Sequence, residues 1–256
     1  LIALFDSQRS LSTLVGVDFS LGYPAGTARA LGLEGAAWSA TWALLGNRVR
    51  DDDRNSNNRF AVAAELNERL SGSAAPFWGC PATARSEFLA STKPSEDCTL
   101  VVWRAVEEQL RATGRRPFSS WQLMGAGAVG SQSMLGLPVL GRLRDRYADR
   151  FDVWPFTTGL GPPRATAGSI VVAEVWPSML LVKPDDAAVR DAVQVATTAR
   201  WLAGCDDADC LASLFTPVVV PERREAVTEE EGWVLGVTGT TSTDGDHLPL
   251  RSCSLV

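Results

Sequence analysis

The sequence predicts an α/β fold, a sheet flanked by helices, from two kinds of segment. Two short apolar runs, Leu14-Val15-Gly16-Val17-Asp18-Phe19 and Ser169-Ile170-Val171-Val172-Ala173-Glu174-Val175, are each closed by turn residues, Gly22-Tyr23-Pro24 and Pro177. Runs of this length with little polar alternation read as buried strands. Between and after them lie longer stretches whose apolar residues recur at helical spacing. With 256 residues, 45% hydrophobic and 21% charged, the chain has enough apolar material to form one globular domain over its whole length, 1–256.

The elements follow in order. After the first strand, residues 28–48 are rich in Ala, Leu and Trp and read as helical, and 51–58 form a polar loop. Asn57 or Asn58 can cap a helix from Arg59 to Leu70, with Phe60, Ala63, Ala64 and Asn67 at helical spacing. Residues 71–99 are irregular, and a further helix fits Val101 to Thr113. A charged helix is expected over 139–150, where Arg142, Asp145, Arg146 and Asp149 can pair three and four apart. Acids interleave these arginines, which marks a solvated face rather than a phosphate patch. The second strand ends at Pro177, a helix spans Ala187 to Ala203, and the tail after Thr238 is polar.

The formal charge of −6 opposes non-specific binding to long nucleic acid, which needs a broad positive surface, but leaves a short or single phosphodiester open. No apolar run approaches the ~20 residues that span a bilayer. The start, Leu1-Ile2-Ala3-Leu4-Phe5-Asp6, lacks the basic region of a signal peptide. Cys80, Cys98, Cys205, Cys210 and Cys253 are odd in number and irregularly spaced, with no metal-binding pattern. Free thiols and a cytoplasmic location are therefore expected.

Three acids occupy costly positions. Asp18 ends the first strand and Glu174 interrupts the second, so each needs a partner, a metal or a proton. On the helix after the second strand, Ala188, Ala192, Ala196, Ala199 and Ala203 line one face. Asp191 shares an edge with Val195, Thr198 and Leu202. If the alanine face packs on the sheet, Asp191 approaches the strand ends. Asp18, Glu174 and Asp191 could then hold Mg²⁺ or Mn²⁺, hard ions that prefer oxygen ligands. The alternative is that each acid is satisfied separately, by an arginine, backbone N–H groups or water.

Gly125-Ala126-Gly127-Ala128-Val129-Gly130 matches G-x-G-x-x-G, but Ser119, Ser120 and Gln122 spoil the preceding strand, and Pro138 is expected to limit the following helix. A dinucleotide turn is not expected there. The one histidine, His247, lies in the polar tail, which argues against nucleophile–histidine catalysis.

Several strings together resemble a bacterial family of uncharacterised proteins with an expected ribonuclease H-like fold, some of whose members carry labels as molybdopterin-guanine dinucleotide biosynthesis accessory proteins. They are Val15–Phe19 with Gly22–Gly26, Asn58-Arg59-Phe60, Pro76–Gly79, Trp103-Arg104 with Glu107, and Trp121-Gln122-Leu123 through Gly125 and Gly127 to Gly130-Ser131-Gln132. Further along come Val153–Phe156, Ala173–Ser178, Arg190-Asp191-Ala192 with Gln194-Val195, and Glu231–Gly236.

The resemblance implies a ribonuclease H-like mixed sheet flanked by helices, with a large, mostly helical insertion over about 25–165. Asp18, Glu174 and Asp191 would be its second strand acid, a later strand acid and the helix acid. The family's opening strand, with its Asp-Trp-Ser-Ala motif, has no match before Asp18, so the N-terminal strands are expected to be missing from this chain. The implied function is metal-dependent phosphodiester hydrolysis on a nucleic acid or nucleotide substrate. One alternative is a nucleotide- or pterin-handling accessory protein whose ligand set would be Arg104, Glu107, Gln122, Gly125, Gly127, Gly130 and Gln132. Another is a catalytically inactive interaction module.

Overall fold

A computed structural model describes residues 1–94, 98–125, 127–180 and 189–239. A short helix, α1 (Ile2–Ser7), precedes strand β1 (Thr13–Val17). Helices α2 (Thr27–Ala30), α3 (Ala37–Arg48), α4 (Arg59–Ser71), α5 (Ala105–Ala112) and α6 (Gly130–Arg146) follow. Then come β2 (Phe151–Val153), β3 (Ile170–Glu174), α7 (Arg190–Asp207) and α8 (Pro221–Ala226), the last running into a π-helical turn over Val227–Glu231. His247, Cys253 and the tail expected to fray lie outside the described residues.

The three strands form a parallel sheet in the order β1-β3-β2. Strand β3 is central and buried along its whole length, as its apolar run up to Glu174 predicts. Its side chains alternate between two cores. Ile170 and Val172 join Trp42, Leu66, Met134 and Leu137 from α3, α4 and α6. Val171 and Ala173 join Val106, Leu110, Trp201 and Trp233 on the other face. Among the described residues the sheet is parallel throughout, where a mixed sheet was expected.

Several boundaries differ from expectation for local reasons. The helix expected over 28–48 is two helices, because Gly32 and Gly35 take left-handed φ of 66° and 85° between them. Helix α5 starts at Ala105 rather than Val101, after Arg104 adopts extended backbone as its N-cap. Strand β2, only three residues long, has no periodicity to announce it and falls inside the stretch assigned to the helical insertion. The helix expected at 139–150 starts at Gly130 and continues through Pro138. A proline there forfeits a hydrogen bond at a cost of about 3 kcal/mol, yet Met134, Leu137, Pro138 and Leu140 are all buried and hold the helix in place. Its charged end pairs Arg146 with Asp6 and Arg144 with adjacent Asp145, not at the expected spacings. Cys80, Cys98 and Cys205 are free thiols, whereas Cys210 is disulfide-bonded, against the expectation of free thiols throughout. Among the described residues, no helix is long and apolar enough to cross a membrane.

The glycine loop has a packing explanation. Gly125 and Gly127 hold left-handed φ of 127° and 83°. A Cβ on Gly130 would stand 2.6 Å from the carbonyl oxygens of both Ser120 and Gln122. The segment before the loop is no strand, only a single bridge between Gln122 and Trp78. Gly130→Ala is therefore expected to cost about 1–3 kcal/mol by overpacking against backbone. Thermal unfolding followed by circular dichroism would show this as a loss of several degrees.

Candidate active site at the C-terminal edge of the sheet

Val17 of β1 pairs with Glu174 of β3, so Asp18 follows one residue past that pair, where the parallel strands end. Crevices at the carboxyl ends of parallel strands are the usual ligand sites of α/β sheets. The two acids meet different fates there.

Glu174, expected as a metal ligand, is only 5% exposed and is held by Arg104. The guanidinium grips it bidentately, Nη1 donating to Oε2 at 2.8 Å and Nη2 to Oε1 at 2.7 Å. The Leu21 backbone N–H donates to Oε2 at 3.2 Å. Three of the roughly four acceptor positions of this carboxylate are thus filled. Arg104 also donates from Nε to Glu107 Oε1 at 2.9 Å and from Nη1 to the Glu231 carbonyl at 2.9 Å. With 2% exposure and these four bonds, Arg104 is closed to an incoming phosphate. It ties together β3, the start of α5 and the π-helical turn, segments far apart in sequence.

Glu107 accepts the Arg104 backbone N–H at 3.0 Å, closing the first turn of α5. Burial pushes its carboxyl up to about 7, although Arg104 opposes that rise. Burial disfavours charge on Arg104 itself, but Glu174 and Glu107 more than offset this and hold it above its ordinary value.

Sequence reasoning gave Glu231 no role in this assembly and overlooked Glu230. Glu231 is fully buried and accepts the backbone N–H groups of Ala25 at 2.9 Å and Ala105 at 2.7 Å. Glu230 accepts those of Gly26 and Ala28, each at 2.6 Å, and burial holds its carboxyl above its ordinary range. The visible sign was a run of three acids, Glu229-Glu230-Glu231, directly before the apolar stretch Trp233–Leu235.

Asp18 is open. It is exposed at the mouth of a cleft of about 320 Å³ between β1 and α7. Leu14 and Gly16, on the same face of β1, line that cleft with Val195, Thr198, Ala199 and Leu202 of α7. Asp206, three turns beyond Val195, lines it too. The edge shared by Val195, Thr198 and Leu202 faces the cleft as the helical spacing predicts, and Asp191 continues that edge one turn earlier. The alanine face, however, does not pack on the sheet. Thr198, Trp201 and Cys205 form the buried stripe, because the tryptophan offers the larger apolar surface, and Ala192, Ala199 and Ala203 stay exposed.

The Asp18 carboxyl is pushed up to about 6 by partial desolvation, with the negative charges of Glu174 and Asp191 adding to the rise. The charges of Glu174 and Asp191 thus reach Asp18 at the end of β1. A raised pKa means that the folded chain holds this proton more tightly than the unfolded chain. The resulting stability is fully present below the ordinary carboxylate value of 3.8 and is lost as pH rises through about 6. Glu107 acts in the same direction up to about 7. The melting temperature is accordingly expected to fall as pH rises from about 5 to 7 in metal-free buffer, as a calorimetric pH series would show.

Of the other expected ligand residues, Gly125 and Gly130 pack against Gln122. Arg104, Glu107 and Gly127 border a cavity of only ≈30 Å³, against the ~300 Å³ or more of ordinary ligand pockets. Gln122 gives its amide Nε2–H to the Met124 carbonyl at 3.2 Å, and Gln132 is exposed on α6. Among the described residues, no group of three or more His, Cys, Asp or Glu could hold a metal ion.

No protein-family model matches the chain, and no curated protein or solved structure matches it.

Proposed function

We propose that this protein is a divalent-cation-dependent phosphodiester hydrolase on a ribonuclease H-like sheet, with Asp18 and Asp191 as the ion-holding carboxylates. The observation that carries the reading is the placement of Asp18. It is an accessible acid at a parallel strand end, beside an open cleft, with its charge opposed by two neighbouring carboxylates. The order of strand acid, strand acid and helix acid also agrees with the family that the sequence resembles.

The donor set fits Mg²⁺ or Mn²⁺ in one particular way. Mg²⁺ is commonly held by one or two carboxylates together with substrate phosphate, and needs no complete protein cage. Asp18 and Asp191 would supply two hard oxygen donors, whereas Glu174 is committed to Arg104. A bound ion would activate water and neutralise charge on the phosphate. Glu174 and Arg104 fix the position of Leu21, and hence of the turn that follows Asp18. The Thr198 hydroxyl donates to the Gln194 carbonyl at 2.9 Å, which sets it aside as a nucleophile.

Hydrolysis of bis(p-nitrophenyl) phosphate tests the reading. Turnover is expected with Mn²⁺ and none with a chelator present. Asp191→Asn is expected to lower the rate at least tenfold while the protein stays folded. Absence of turnover under every metal condition would overturn the proposal.

A further inference from the structure

A second concave surface lies away from the acidic cleft. It is an open groove of about 680 Å³ lined by Trp103, Arg111, Arg115, Arg116, Phe118 and Gln122. Its shape follows from the end of α5. Gly114 takes a left-handed φ of 79°, and the Arg115 N–H returns to the Leu110 carbonyl at 3.0 Å. That reversal carries Arg115 and Arg116 back beside Arg111. The Ser119 hydroxyl then donates to the Val102 carbonyl at 2.7 Å, and Trp121 Nε1–H to the Val101 carbonyl at 3.1 Å. These bonds fix the far wall against the segment that bears Trp103.

The charge on this groove is unopposed. The chain carries 30 acids against 24 Lys and Arg, yet none of the ion pairs among the described residues involves Arg111, Arg115 or Arg116. The acids of α5 are engaged elsewhere, Glu107 with Arg104 and Glu108 with Arg223. Arg111 lies 4.2 Å over the Trp103 ring. Stacking of that kind orients a guanidinium without consuming its N–H donors.

The groove also offers an aromatic platform. Phe118 is 39% exposed although its position is tightly set, since a Cβ on Gly127 would come within 2.6 Å of its ring. Gln122 adds a side-chain amide on the same surface.

We infer that this groove binds a nucleoside phosphate, with Arg111, Arg115 and Arg116 on the phosphate and Phe118 against the base. Three free guanidinium groups match the oxygen-rich, doubly charged phosphate group. An exposed, fixed ring matches the π-face that every base presents. The volume falls within the ~300–1,000 Å³ of small-molecule sites. The net charge of −6 favours a mononucleotide over a long strand, whose binding scales with a broad positive surface. The inference does not rest on hydrolysis at Asp18.

Isothermal titration calorimetry on the whole protein, at low salt with chelator present, tests it with AMP, GMP, adenosine and inorganic phosphate. Both mononucleotides are expected to bind, with adenosine and inorganic phosphate each at least tenfold weaker. The double variant Arg115→Ala, Arg116→Ala is expected to lose at least tenfold in mononucleotide affinity with an unchanged circular-dichroism melt. Phe118→Ala is expected to bind AMP no better than inorganic phosphate. Four results would overturn the assignment: no mononucleotide binding at millimolar concentration, unaltered affinity in the arginine double variant, adenosine binding as well as AMP, or a ten-nucleotide single strand binding more than a hundredfold tighter than AMP. The chelator keeps this outcome separate from that of the Mn²⁺-dependent assay.

Discussion

Arg104→Met is expected to destabilise the protein by about 3–5 kcal/mol, because removing one partner strands a buried charge. For a chain of this size that corresponds to a melting-temperature loss of roughly 6–20 °C. The physical reason is the number of groups that one guanidinium serves. Glu174, Glu107 and the Glu231 carbonyl all accept from it, and all lie in the interior. Adding Glu174→Gln to Arg104→Met removes the stranded charge and is expected to recover part of the loss. The signature is non-additivity, with a coupling of about 2–3 kcal/mol between the two positions. A single variant that melts within two degrees of the parent would show that Arg104 is not the tie between β3, α5 and the π-helical turn.

Asp18→Asn carries the largest expected effect on activity. Removing an ion-holding carboxylate is expected to reduce Mn²⁺-dependent hydrolysis at least a hundredfold, in the range typical of losing one transition-state charge stabiliser. Its effect on stability has the opposite sign. The Asp18 carboxyl stands at about 6, so above that pH the folded chain holds a partly desolvated charge, which the charges of Glu174 and Asp191 also oppose. The asparagine variant is therefore expected to melt higher than the parent at about pH 8 and to lose that advantage below about pH 4. A catalytic loss together with a stability gain at high pH is a pattern that simple misfolding would not produce. Equal melting curves at both pH values would remove the electrostatic basis assigned to this position.

Much of the sheet could be read from the chain, because its signals are local. Strand β3 is buried on both faces, and each of its residues up to Glu174 says so by being apolar. The edge of α7 that faces the cleft followed from spacing alone, since Val195, Thr198 and Leu202 must share a side of any α-helix. Which face of α7 would be buried was not legible in the same way. Regular alanines suggested one stripe, and Trp201 with Cys205 claimed another, a choice made by the available partners in the core.

The fate of Glu174 was less legible still. A costly carboxylate announced that it needed a partner, but nothing in the spacing distinguished an ion from an arginine. The arginine lies 70 residues away in sequence, at the start of a helix whose first turn is closed by Glu107. The backbone groups served by Glu231 are more distant, 206 and 126 residues away at Ala25 and Ala105. Pairings over such separations are fixed by tertiary packing and leave no local periodicity. Pro138 shows the same priority, since burial of α6 outweighed a local rule against prolines inside helices.

The measurement that bears most directly on the proposed site is a calorimetric titration of Mn²⁺ into the parent protein, Asp18→Asn and Asp191→Asn, at about pH 7.5 and again at about pH 5. Two carboxylates that must both be ionised to hold the ion predict saturable binding by the parent at the higher pH. Binding should weaken at least tenfold at the lower pH, where Asp18 is protonated, and each variant should lose it. Mn²⁺ binding by either variant with the affinity of the parent, or binding by the parent that does not change between the two pH values, would contradict the assignment of Asp18 and Asp191 as the ion-holding pair.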